Sequence, residues 1–213
     1  RPEHRRLIRL DSIGGALRSV LGSRQTVGYM LAAGAFFGAL FGYINSAQQV
    51  LVEVYGLGAW FPAVFAATAF GLAISSFVNS RLVERYGMRL LSHGACCVFT
   101  LLTLTMFVID RAGLLDAAVF VGFMMLTMPL VGLIFSNFNA LAMAPQGHVA
   151  GIASSVIGSV TVLVGAGVGY FIGQAFDGTT TPLALGFGLS GIATLLILLV
   201  TERGRLFQPG SAS

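Results

Sequence analysis

The sequence predicts an all-α polytopic membrane protein with six transmembrane helices. Hydrophobic residues make up 56% of the chain and charged residues only 9%, where a soluble domain carries about a quarter charged. Mean hydropathy is +0.87. Several apolar runs reach the ~20 residues that a helix needs to cross a bilayer, and short polar segments separate them. The lipid bilayer is therefore the first expected partner. All 12 basic residues are Arg, split among those short segments. A nucleic-acid partner is not expected, since it wants a clustered basic face.

Taken in order, residues 1–25 read as a cytoplasmic loop holding Arg1, Arg5, Arg6, Arg9, Arg18 and Arg24. Leu10, Ile13, Leu17 and Val20 recur at helical spacing, as in an amphipathic helix lying along a membrane surface. Gly14, Gly15 and Gly22 weaken a helix, so a disordered linker is the competing reading. Residues 26–201 form the bundle, with spans at about 26–51, 59–80, 88–109, 114–143, 149–176 and 182–200. Residues 202–213 form a tail. Pro62 and Pro182 suit the first turns of spans two and six, and Pro129 predicts a kink in span four. Between spans two and three lies a charged island, Asn79 to Arg89, with Arg81, Glu84 and Arg85 inside it. Those charges cost several kcal/mol each in hydrocarbon, so the island lies at a membrane surface. With six spans, eleven Arg fall on the side of the N-terminus and Arg111 alone on the other. The positive-inside rule then places both termini in the cytoplasm. The chain opens with Arg, its first Met is Met30 and no signal peptide is visible, so it reads as a piece of a longer protein.

Gly34, Gly38 and Gly42 fall every four residues in the first span, and Gly165, Gly169 and Gly173 do so in the fifth. Such spacing lets helix backbones approach closely. Gly151 and Gly158, earlier in the fifth span, are assigned to the same packing class. Cys96 and Cys97 are neighbours inside an apolar run, pointing about 100° apart on a helix, and read as packing residues rather than a disulfide. No metal-ligand spacing surrounds them, and neither a metal nor a cofactor is expected.

From Ala117 to Phe176 there is no Asp, Glu, Lys or Arg. An intramembrane carboxylate is the usual proton carrier in transporters, so a proton-coupling group would lie outside this chain. Uncharged polar residues remain. Phe37, Phe41, Asn45 and Gln48 share one helical face, and Met124, Met128, Phe135 and Asn139 share another. An aromatic and Met surface with a few amides suits a pocket for flat, apolar, variable ligands. The alternative is helix packing with amides bonded across helices. His93 and His148 read as interfacial polar residues. Gly188, Ser190 and Gly191 match the G-x-S-G signature of rhomboid proteases, but no His follows Ser190 to activate it. The chain is not read as an enzyme.

The island resembles the signature loop of the major facilitator superfamily, roughly Asp-Arg-x-Gly-Arg-Arg, in the copy from the C-terminal half. Glu84 takes the acidic place and Arg85 the basic one, followed by Tyr86, Gly87, Met88 and Arg89; Met88 departs from the pattern. A second stretch is similar to the Bcr/CflA multidrug efflux group: Ser136-Asn137-Phe138-Asn139-Ala140-Leu141-Ala142-Met143, Pro145, Gly147, then Ala150 through Ser155 and Gly158. Tyr43-Ile44 is similar too, while Gln48 and Ala144 depart from many members. The resemblance implies the C-terminal six-helix half of a twelve-helix transporter, built from inverted three-helix repeats around a midplane cavity. It implies proton-coupled export of drugs or small amphipathic metabolites by alternating access in a bacterial inner membrane, with an N-terminal half as partner. Spans one, two, four and five would wall the pocket, and spans three and six would face lipid. Asn79, Arg81, Glu84, Arg85, Gly87 and Arg89 would form a cytoplasmic gating loop, Gly87 allowing a tight turn while Glu84 and Arg85 bind neighbouring helix ends. A reading from another class is a six-helix subunit that needs a partner half and transports nothing alone.

Overall fold

In the computed structural model the described residues are 10–208, with side chains described from residue 14 onward. Arg1, Arg5, Arg6 and Arg9, and the side chains of Leu10 and Ile13, lie outside that set. Every regular element among the described residues is helical. Helix α1 spans Leu10–Gly22 and α2 spans Arg24–Gln48; α2 continues through a π-helical turn, Gln49–Val54. A 3-10 turn at Gly58–Trp60 leads into α3 (Phe61–Tyr86), followed by α4 (Met88–Arg111) and α5 (Ala117–Met143). A second 3-10 segment, Ala144–Val149, precedes α6 (Ala150–Gln174), and α7 is Thr181–Thr201.

Five helical stretches are long and apolar enough to cross a membrane. One of them, Ala117–Gln174, is 58 residues long and breaks at Gln146, whose φ of −106° and ψ of 17° are not helical. That break separates α5 from α6. Local chemistry sets several boundaries. The Ser23 side chain accepts the Thr26 backbone N–H at 3.2 Å, and Asp116 accepts that of Val119 at 2.9 Å, each satisfying an orphan donor of a first turn. Between α3 and α4 the chain reverses through Gly87 alone, at φ 77°, a conformation open to glycine because it has no Cβ.

Residues 10–22 are helical, so the linker reading does not hold there. Among its described side chains Ala16 and Val20 are buried while Leu17 is 37% exposed. Gln146 ties α1 to the α5–α6 break: its amide N–H donates to Thr26 Oγ1 at 2.9 Å, and its carbonyl accepts from Ser19 Oγ at 3.0 Å.

The packing pattern has an internal symmetry. Helix α2 packs on α6 and α7 of the second trio, and α5 packs on α3 and α4 of the first, while α4 and α7 meet each other. Exchanging α2–α3–α4 with α5–α6–α7 maps these contacts onto themselves. Helices α2 and α5 sit at the centre and bury the most side chains. Lipid is as apolar as a leucine side chain, so close packing and dispersion hold such helices together rather than water exclusion. Phe36 of α2 meets Phe99 of α4 at 4.6 Å between ring centroids, and Phe99 meets Phe187 of α7 at 6.0 Å. Each such pair is worth about 0.5–1.5 kcal/mol beyond its area.

Candidate functional site

The seam between α2 and α6 positions the candidate wall. A Cβ on Gly34 would lie 2.8 Å from Val164, and one on Gly42 would lie 2.7 Å from Ile172, with Gly38 against Val168 between them. The reverse also holds. Gly165 faces Phe37 at 3.1 Å, Gly169 faces Phe41, and Gly173 faces Asn45 at 3.1 Å. Partner numbers rise together, so the two helices run parallel, each lodging side chains in the other's glycine row. Gly151 and Gly158 do not join them. Nothing lies within 4 Å of a Cβ at either, because both precede the interlock, which opens at Thr161 and Val164. Neither forms part of a seam within this chain.

Because glycines lie beneath them, Phe37 and Phe41 sit close to the α6 backbone, and the Phe37 ring reaches α5. Phe37 stacks on Phe135 at 4.6 Å and meets Phe41 edge-on at 4.8 Å. All three rings are half-buried, forming an aromatic wall where α2, α5 and α6 converge. Asn45 is exposed and donates to the Gly169 carbonyl at 3.3 Å; Gln48 is exposed on the next turn. Asn139 donates to the Phe135 carbonyl of its own helix at 2.9 Å. Met124 and Met128 do not reach this wall. They are 0% and 1% exposed, with Met128 on the side of α5 that meets Gly71 of α3. Their shared spacing identified one face of α5, but a neighbouring helix covers that part of it.

Around the charged island, the engaged residue is Arg89. Its Nε donates to Glu202 at 3.0 Å and its guanidinium to Gln25 Oε1 at 3.1 Å. Glu202 also accepts the Tyr29 hydroxyl at 2.6 Å, and that hydroxyl meets His93 Nε2 at 2.9 Å. The other His93 nitrogen accepts the backbone N–H of Phe207 at 3.2 Å, and the Gln25 amide donates to the Leu141 carbonyl at 2.9 Å. One network thus joins the same-side ends of α2, α4 and α5 to the segment after α7. His93 is completely buried, not an interfacial residue. Arg81, Glu84 and Arg85 are exposed, and among the described residues the one ion pair is Arg89 with Glu202. Arg81 and Arg85 lie over the rings of Phe77 and Tyr86. The helix-end contacts expected of Glu84 and Arg85 are therefore made by Arg89. Asn79 accepts the Asn137 amide at 2.6 Å, tying α3 to α5.

Sequence reasoning missed Gln25, Tyr29 and Glu202. The available signal was Glu202 itself, an acid at a span end on the Arg-rich side. At the other membrane end, Asp110 of α4 accepts the hydroxyls of Thr180 and Thr181 at the start of α7. Tyr55 donates to the Leu115 carbonyl at 3.0 Å; burial pushes its phenol up to about 12, keeping it a donor. The G-x-S-G match is a packing feature. Gly188 and Gly191 bring α7 against Leu104 and Thr100 of α4. Among the described residues no group of three His, Cys, Asp or Glu side chains is placed to hold a metal.

Comparison with known proteins gives two curated relatives. The chain is 27% identical over 197 residues to a bicyclomycin resistance protein homolog of Haemophilus influenzae, covering 91% of this chain and 49% of that protein. It is 27% identical over 200 residues to the uncharacterized MFS-type transporter YdgK of Bacillus subtilis, covering 90% of this chain and 48% of that one. No family model matches, and no solved structure matches significantly. The chain spans about half the length of the curated relatives it matches. It is a multi-pass helical membrane protein, similar over about nine-tenths of its length to a bicyclomycin resistance protein homolog and to an MFS-type transporter.

Proposed function

We propose that this chain is one six-helix half, the C-terminal one, of a proton-coupled exporter of drugs or small amphipathic metabolites working by alternating access. The observation that carries the reading is a match over about nine-tenths of this chain to about half of two transporters, one of them a resistance protein homolog. The aromatic wall of Phe37, Phe41 and Phe135, with Asn45, Gln48 and Asn139 along its edges, supports a site for flat apolar ligands. The partner is an N-terminal six-helix half, and the membrane is a bacterial inner membrane with both termini cytoplasmic. Spans α2, α3, α5 and α6 wall the cavity, while α4 and α7 face lipid.

Proton coupling falls to residues outside this chain. The Arg89 network, beside the Gly87 turn between α3 and α4, holds the cytoplasmic side closed and must open in each cycle. Co-expressing the chain with a second half from its own source, then following drug efflux, tests the reading. Export is expected from the pair and none from the chain alone; efflux by the lone chain would refute the half-transporter. If the pair assembles and moves nothing, the chain is a structural subunit. Asp110→Asn and Asp116→Asn in the pair are expected to leave pH-driven exchange intact.

A further inference from the structure

Helices α6 and α7 touch each other little, because both pack on α2. Along α7 runs a furrow floored by α2, whose other wall is the end of α1 in its first stretch and α6 in its second. Its first stretch has a volume of about 580 Å³, is floored by Val27, Gly28 and Leu31, and is walled by Leu196, Ile197 and Val200 of α7 and by Leu21 and Gly22 at the end of α1. Its second, about 280 Å³, starts one turn further along at Ala35 and runs to Gly186. From Thr201 to Gly186 the two stretches together follow sixteen residues of α7, about 22 Å at the helical rise. One leaflet's hydrocarbon is about 15 Å deep, so the furrow exceeds it.

The apolar floor ends at a cation. Arg24, the first residue of α2, lines the mouth and is exposed without an ion pair among the described residues. Arg18, Arg203 and Arg205 are exposed at the same membrane end, whereas Glu202 is engaged by Arg89. Leu196 and Val200 are 58% and 75% exposed, as side chains facing lipid are. We propose that this furrow is a binding site for an anionic phospholipid, its phosphate at Arg24 and an acyl chain lying on α2 alongside α7, first against the end of α1 and then against α6. Length and polarity select the occupant. An apolar chain longer than a leaflet is deep matches the furrow, and a negative headgroup matches the Arg at its end. The proposal rests on the chain spanning a bilayer and not on transport.

The test uses the protein assembled with its second half and carrying Trp60→Phe and Leu196→Trp, so that one tryptophan of this chain reports from the furrow wall. Vesicles of phosphatidylcholine and phosphatidylglycerol are prepared with bromine on the chains of one lipid or the other. Brominated phosphatidylglycerol is expected to quench that tryptophan with about fivefold preference, the ratio expected of one Arg near an anionic surface. Arg24→Gln is expected to bring the preference to about one, while Arg205→Gln and added inorganic phosphate leave it unchanged. Equal quenching by both lipids, equal loss with Arg205→Gln, or displacement by phosphate would overturn the proposal. So would no quenching by either lipid, which means protein from the other half fills the furrow. Native mass spectrometry of the unlabelled protein supplies a second reading. Phosphatidylglycerol retention should fall about fivefold with Arg24→Gln, and unchanged retention overturns the site.

Discussion

The seams α2–α6 and α5–α3 occupy equivalent places in the two trios, yet they are built differently. In the first, glycine rows on both helices receive each other's side chains, Gly34, Gly38 and Gly42 on one side and Gly165, Gly169 and Gly173 on the other. In the second, two glycines serve: Gly71 against Pro129 and Gly132 against Ser75. Thr68, Gly71 and Ser75 are the buried residues of α3, and an apolar groove of about 440 Å³ runs alongside between Ser75 and Tyr86. The ends differ too. Helix α2 is anchored through Gln25 and Tyr29 to the Arg89–Glu202 pair, whereas the end of α3 carries exposed Arg81, Glu84 and Arg85 and one amide tie, Asn79 to Asn137. In a bilayer, close contact is what resists displacement. From that contrast α2 and α6 are expected to move as one body, and α3 to be able to shift against α5.

The hardest way to break that comparison is Gly169→Leu. A Cβ there would meet the Gly42 backbone nitrogen at 2.9 Å, and backbone atoms cannot rotate away. Overpacking of this kind costs about 3 kcal/mol, read as easier unfolding in mixed micelles of the assembled protein. Gly158→Leu, with open space around it, is expected to stay within about 0.5 kcal/mol of the parent. Equal losses from the two would show that the interlock is not what holds α2 to α6.

Next in size is the tie at the end of α2. Glu202→Gln removes the charge that Arg89 faces while keeping an acceptor for Tyr29. Turnover of the assembled transporter is expected to change about tenfold, equivalent to about 1.4 kcal/mol on a barrier, with substrate affinity within about twofold. Glu84→Gln, which breaks no ion pair among the described residues, should change turnover less than twofold. A defect confined to affinity in Glu202→Gln would count against a gate. A smaller loss, about 1 kcal/mol of stability, is expected from Asn137→Leu, which leaves Asn79 without its donor at the cost typical of a lost internal hydrogen bond. Thermal unfolding checks it.

What the sequence made legible follows from periodicity. Four-residue glycine spacing identifies one side of a helix, so the rows on α2 and α6 could be named before any partner was known. Gly87 and the first-turn prolines act within a turn of themselves, and they too were readable. Partner choice across the bundle was not. Arg89 finds Glu202 at a separation of 113 residues, and no local pattern distinguishes Arg89 from Arg81 or Arg85. The burial of His93 has the same origin, since its partners come from α2 and from the segment after α7. Met124 and Met128 show the limit from the other side. Spacing placed them on one face with Phe135, and only packing reveals that the first two are buried while the third lies in the aromatic wall.

Gly71→Ala has the smallest expected effect and tests the compliant seam most directly. A Cβ at Gly71 would sit 3.0 Å from Pro129 Cδ, 3.2 Å from its Cγ and 3.4 Å from Met128 Cβ. Those distances need only a few tenths of an ångström of relief, but proline is stiff and cannot rotate aside as a long side chain does. Any relief must come from α3 itself moving outward. If α3 is as free as its sparse burial implies, that shift costs little and the helix-propensity gain of Ala over Gly, about 1 kcal/mol, offsets it, leaving stability within about 0.5 kcal/mol. A loss above about 2 kcal/mol, in the range of a rigid overpacked core, would mean that the α5–α3 seam is as tightly locked as α2–α6 and that the two trios do not differ in compliance.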